Sequence, residues 1–156
     1  MTATGGDQPV IRRARPGDAA AVRALVRQLG YSPDDRSYDE TFAQVARHPE
    51  AAVFVAQIGT RVIGYIAMSH RPQVRLAARL ATIDELAVDE AARQHGVGTA
   101  LLDAAMAHAR SLGCARVDVT SSRTRESYER RFYTERGLAE CDSAVFRQTL
   151  TQARPR

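Results

Sequence analysis

The chain contains no lysine; all 22 of its basic residues are arginine. The resulting net charge of +4 and pI near 9.6 permit a polyanionic ligand. A genome rich in Arg and Ala codons gives the same bias. No basic run is interleaved with aromatics, so no nucleic-acid partner is expected. Cysteine is scarce. Cys114 and Cys141 have no CxxC or metal-like spacing, and both read as small core fillers without a disulfide. His48, His70, His95 and His108 are scattered, so no metal site is expected. No apolar run reaches the length of a membrane span, and the opening MTATGGDQP has no signal-like apolar stretch. The expectation is a cytoplasmic protein with no membrane partner. Repeats and low-complexity tracts are absent as well.

What is present is an ordinary globular composition, 44% hydrophobic and 26% charged over 156 residues, enough for one domain with its own core. Residues 1–8 and 151–156 read as flexible tails. Val10–Ala14 reads as a strand. Pro16-Gly17-Asp18 reads as a turn with Asp18 capping the next helix. Ala19–Leu29 follows, with Val22, Leu25, Val26 and Leu29 at helical spacing and Gly30 as its stop. Ser37 to Glu40 has capping-box spacing, which predicts a short helix ending near Arg47, before His48-Pro49. Ala52–Gln57 and Arg61–Ser69 read as a hairpin around Ile58-Gly59-Thr60. His70–Arg79 is expected as an arginine-bearing loop. Leu80–Val88 is the next strand. A helix after Gly98 carries Leu101, Leu102, Ala105, Ala109 and Leu112 on one stripe, and Gly113 ends it. Arg116–Thr120 is expected as strand, 126–136 as a helix burying Tyr128 and Phe132, and Ala144–Leu150 as a last strand. The order β-α-α-β-β-β-α-β-α-β is that of an α/β protein with a mixed sheet.

Residues 83–112, IDELAVDEAARQHGVGTALLDAAMAHARSL, carry the strongest functional signal. A strand ends in acidic residues, an Arg93-x-x-Gly96-x-Gly98 loop follows, and a helix starts at once. Glycine lets the backbone turn sharply and approach a ligand. First-turn N–H groups and the helix dipole then favour an anion, so a phosphate-bearing ligand is expected. A Rossmann dinucleotide site is disfavoured, because the third glycine and the later acidic strand end are missing.

This arrangement resembles motif A of the GCN5-related N-acetyltransferase (GNAT) superfamily. Arg131-Phe132-Tyr133-Thr134-Glu135-Arg136-Gly137-Leu138 resembles its motif B. The resemblance covers residues 9–150 and implies a single GNAT domain whose mixed central sheet is flanked by helices. It implies acetyl-CoA as cosubstrate. Arg93 and the backbone of Gln94, His95, Gly96, Val97, Gly98 and Thr99 would hold its pyrophosphate. Leu86, Ala87 and Val88 would pair with its pantetheine arm and supply an oxyanion donor. Two positions depart from the family: Leu138 replaces a usual Phe, and Glu126 stands where an Asn often touches CoA.

The chemistry is transfer of an acetyl group from a thioester to an amine. An alkylamine with a pKa near that of lysine is mostly protonated at neutral pH, so a base must act, directly or through water. The oxyanion needs a backbone donor, and the departing thiolate gains from an acid. Tyr133 occupies the family's catalytic tyrosine position. Glu85 is taken as the base with Asp84 as the alternative. In a regular strand the two point to opposite faces, and relatives carry a bulge here that shifts side-chain direction. The fold places Tyr31–Tyr38 and His70–Arg79 at the acceptor rim, where Arg71, Arg75 and Arg79 would suit a small amine bearing an anionic group. Protein lysine or N-terminal acetylation, and non-catalytic acetyl-CoA binding, stay open as alternatives. Many members of that family are homodimers, which leaves a homodimer open here.

Overall fold

Residues 8–150 are described in the computed structural model of this chain. The tails expected at 1–8 and 151–156 lie outside them, Gln8 apart. Two compact units are present, one ending at Thr120 and the other starting at Ser121.

The first unit is a five-stranded sheet in the order β1-β2-β3-β4-β5. β1 (Val10–Arg13), β2 (Ala51–Ile58), β3 (Arg61–Gln73) and β4 (Ala78–Val88) pair antiparallel, each with the next. β5 (Cys114–Val119) returns parallel to β4 through the crossover helix α3 (Val97–Ser111). Helices α1 (Ala19–Gln28) and α2 (Asp35–Arg47) connect β1 to β2. Their apolar stripes cover one face of the sheet, where Val22, Leu25, Val26 and Phe42 meet Val53, Val55, Tyr65 and Ala87. α3 buries Val97, Leu101, Leu102, Ala105 and Ala109. Leu112, expected on that stripe, is the C-cap residue instead and is 36% exposed.

Helix starts follow local hydrogen bonding. Asp18 sits at the start of α1, yet its carboxylate does not cap it. It accepts instead from the Arg15 N–H and the Arg12 guanidinium. α2 starts earlier than expected, because the Asp34 carboxylate accepts the Ser37 N–H at 2.9 Å and serves as the cap.

Four expectations are corrected. The His70–Arg79 segment is mostly strand: β3 runs to Gln73 and β4 starts at Ala78, across a 3-10 turn at Val74–Leu76 closed by left-handed Ala77. In the second unit, the helix expected over 126–136 is the single turn α4 (Glu126–Glu129). Arg131 adopts φ +55°, which breaks the helical ladder, and a separate 3-10 turn spans Thr134–Arg136. Ala144–Leu150 forms no strand, and Val145, Phe146 and Leu150 are exposed. Cys141 is exposed and not a core filler; Cys114 is half-buried, and both are free.

Candidate active site

The acidic end of β4 is built on a β-bulge. Glu85 lies opposite Ala67, whereas Ile83 lies opposite the adjacent Met68, so Asp84 is an extra residue. The bulge resets the alternation. Glu85 Oε2 accepts from the Tyr65 hydroxyl at 2.6 Å, and Asp84 Oδ1 accepts from Ser69 Oγ at 3.1 Å. Tyr65 and Ser69 are four apart on β3 and share a face. Both carboxylates therefore lie on the side covered by α1 and α2, not on opposite faces as a regular strand demands. Both are open to solvent by area. The protein atoms around Asp84 nonetheless raise its pKa by desolvation; Ser69 works against this, and the Glu85 charge adds to it. Tyr38 of α2 faces the same group: its pKa is pushed up to about 12, chiefly by burial and then by the Glu85 charge.

Beyond the bulge, β4 loses its parallel neighbour. Pairing with β5 ends at Ile83↔Val119, so among the described residues Asp84–Val88 has a strand partner only on the β3 side. The Asp89 N–H donates to Ile63 of β3 at 2.8 Å. Alternation then turns the N–H and C=O groups of Leu86 and Val88 to the other edge. That edge is a row of backbone groups suited to an extended ligand arm.

The glycine loop closes directly on this edge. Asp89 caps a 3-10 turn at Glu90–Ala92 by accepting the Ala91 N–H at 3.0 Å. Arg93 folds back, its Nε donating to the Val88 carbonyl at 3.1 Å. Gln94 and Gly96 both take left-handed backbone, φ +66° and +80°. His95 lies in this loop, its Nδ1 2.7 Å from the Arg93 carbonyl. Gly96 is the N-cap of α3 and offers no side-chain acceptor to the first-turn N–H groups of Val97, Gly98 and Thr99. Those donors are aligned by a helix 15 residues long, a geometry that favours a phosphate. Gly64 sets how close α3 comes. A Cβ there would stand 3.1 Å from the Ala87 carbonyl, 3.1 Å from Leu101 Cδ1 and 3.3 Å from Val97 Cγ1.

The second unit carries the expected tyrosine. Phe132 and Tyr133 rings meet edge to face at 5.0 Å, and the Arg136 guanidinium lies 4.0 Å over the Phe132 ring. Burial raises the Tyr133 phenol pKa, and the Arg125 charge offsets part of that. Glu126 pairs with Arg130 one turn on. The Tyr128 hydroxyl and Arg123 both bond to Glu140.

The arginine rim does not assemble as expected. Arg79 Nη1 donates to His70 Nδ1 at 2.9 Å and lies 3.6 Å from Glu50, on the face where His70 meets His108 of α3. Arg71 remains on the carboxylates' side, where its charge lowers the Asp84 pKa. Sequence reasoning missed Tyr65 and Ser69, and had Tyr38 only as the end of the acceptor rim. The available signal was a tyrosine at a core position of a strand, whose hydroxyl must find a partner when buried.

Solved structures share this architecture. A transcriptional regulator from Bacillus halodurans superposes with a TM-score of 0.82 at 21% identity, covering 90% of this chain and 99% of that one. A ribosomal-protein-alanine N-acetyltransferase from Brucella melitensis gives 0.73 at 18% identity, covering 91% and 99%. AAC(6')-Iy, in complex with a bisubstrate analog of CoA and acetylneamine, gives 0.80 at 18% identity, covering 92% and 99%. No curated protein matches the chain. A sequence profile of the acetyltransferase (GNAT) family matches residues 19–138, from the first helix through the glycine loop to the Phe-Tyr pair. The chain belongs to that family of acyltransferases.

Proposed function

We propose that residues 9–150 act as one acetyltransferase domain that moves an acetyl group from acetyl-CoA to the primary amine of a small molecule, by direct attack in a ternary complex. The observation that carries this reading is the short stretch from Asp84 to Thr99. It joins two carboxylates on one face, a backbone edge with no strand partner among the described residues and a glycine-capped helix start. Arg93 and the backbone of Gln94–Thr99 hold the pyrophosphate. Leu86–Val88 pair with the pantetheine arm and provide the oxyanion donor. Glu85 takes the proton from the ammonium, directly or through water, and the neutral amine attacks the thioester carbonyl. Tyr133 gives its proton to the departing thiolate, and the proton that the amine nitrogen sheds as the intermediate collapses to the amide restores the phenol.

A small acceptor is supported by the AAC(6')-Iy complex, whose analog joins CoA to an amine-bearing small molecule. An ammonium group suits the paired carboxylates. An anionic group on the acceptor would rest on Arg71 and Arg75 alone, since Arg79 is turned away.

Release of CoA thiol tests the reading, using acetyl-CoA against a panel of amino acids, aminophosphonates, polyamines, aminoglycosides and an alanine-starting peptide. Turnover with one small-amine class is expected. Turnover confined to the peptide would transfer the assignment to protein acetylation. No turnover, with acetyl-CoA still bound, would make the chain a binding domain.

A further inference from the structure

We infer that Tyr65 is the positioning residue for Glu85, fixing its carboxylate in the direction that proton removal requires. This rests on Glu85 acting as the base in the acyl transfer proposed above. Tyr65 is 2% exposed, and its ring is packed among the apolar residues of α1, α2 and β2. A phenylalanine would fill that space equally, so packing does not account for the hydroxyl. A buried hydroxyl costs stability unless it is bonded, and this one donates to Glu85 Oε2 at 2.6 Å.

The contact depends on the bulge. Glu85 lies opposite Ala67, and Tyr65 is its diagonal neighbour two residues along β3, within reach of a long side chain. Were Asp84 to pair with Ala67 as in a regular ladder, Glu85 would lie opposite Ile66, on the α3 face and away from Tyr65. The bulge thus does two things at once: it turns Glu85 towards the acceptor side and delivers it to a rigid donor. A donor aimed at the charged form of a carboxylate favours that form. Asp84, by contrast, is bonded by the partly exposed Ser69 hydroxyl at 3.1 Å. The other groups near the pair are Tyr38 on α2, with Arg23 and Asp39 beyond it, and Arg71 on β3 beside Asp84.

The test compares kcat/KM against pH for wild type, Tyr65→Phe, Glu85→Gln and the double variant, with the amine that turns over best in the panel. The Glu85 carboxyl carbon is followed by NMR in the free protein alongside. Tyr65→Phe should move the acidic limb of the profile, and the NMR midpoint with it, upward and cut kcat/KM below the limb about tenfold, and KM for acetyl-CoA should not change. Glu85→Gln should abolish the limb, and adding Tyr65→Phe to it should change nothing more. If Tyr65→Phe proves unstable, a fluorinated tyrosine at 65, a stronger donor, should move the limb down. A Glu85-dependent limb that stays in place in these variants overturns the Tyr65 assignment alone. A limb that survives Glu85→Gln, or no turnover with any amine, overturns the reading of Glu85 as base, and the Tyr65 role with it.

Discussion

At Asp18 three donors converge on one carboxylate. Arg12 grips it with both terminal nitrogens, at 2.8 and 2.9 Å, and the Arg15 N–H adds a third bond at 2.7 Å. The side chain is mostly buried, and removing it leaves the Arg12 guanidinium with Gln57 and the Arg13 carbonyl but no counter-charge there. Asp18→Ala should cost about 2–3 kcal/mol in urea unfolding; less than about 1 kcal/mol would mean that water replaces the carboxylate. Because these bonds, Arg12 first, hold the Asp18 pKa down, the stabilisation is complete above the unfolded carboxylate range and is lost as pH falls through the lower folded value. In the proposed reaction, Glu85→Gln should lower kcat by about 10²–10⁴-fold, the range for a general base. Tyr133→Phe should lower kcat by about 10²-fold with acetyl-CoA affinity retained. Unchanged kcat in either variant would remove that residue from the mechanism. At this scale the residue types were legible and their directions were not. Asp84 and Glu85 stood out as acids at a strand end, but which face each took depended on a bulge that period-two reasoning does not contain.

The glycines around α3 act in two different ways, and substitution separates them. At Gly64 the backbone is ordinary and space is the constraint; at Gly96 space is open and φ +80° is the constraint. Gly64→Ala should cost about 1–3 kcal/mol by overpacking, and it should also weaken acetyl-CoA binding, because the start of α3 is pushed off the sheet. Gly96→Ala should cost about 1–2 kcal/mol through left-handed strain alone. Equal effects on ligand binding would contradict this division. The elements that came through from sequence are those with strong periodicity: the α1 stripe, the β2–β3 hairpin, the glycine loop and the α3 core face. Others were missed for local reasons. Asp34 outcompeted Ser37 as the α2 cap by lying three residues ahead of its N–H. Arg71, Pro72 and Arg79 read as loop, yet ladder pairing carries both strands through them. Left-handed Arg131 stopped α4 after one turn.

Across the first unit, the face carrying α3 holds a basic cluster remote from the proposed chemistry. The His70 and His108 rings meet at 6.2 Å, Phe54 lies 5.6 Å from His108, and Arg13 stacks on Phe54 at 5.3 Å. Arg79 can only donate, so His70 Nδ1 must accept from it. Burial lowers both histidine pKa values; Arg79 adds to this for His70 and Arg13 for His108. A histidine held neutral in the fold binds fewer protons than in the unfolded chain. Its contribution is therefore complete above the unfolded value near 6.5 and is lost as pH falls below it. Unfolding free energy should drop between pH 7.5 and 5.5, and His108→Gln should flatten that slope; an unchanged slope would contradict the assignment. The most direct test of the whole account is thermal unfolding with acetyl-CoA, free CoA or NAD. Acetyl-CoA at a hundredfold excess over its dissociation constant should stabilise the fold by about 2.7 kcal/mol, NAD should give no shift, and Gly64→Ala should diminish the acetyl-CoA effect. An unshifted midpoint with acetyl-CoA would contradict the site assembled between the edge of β4 and the start of α3.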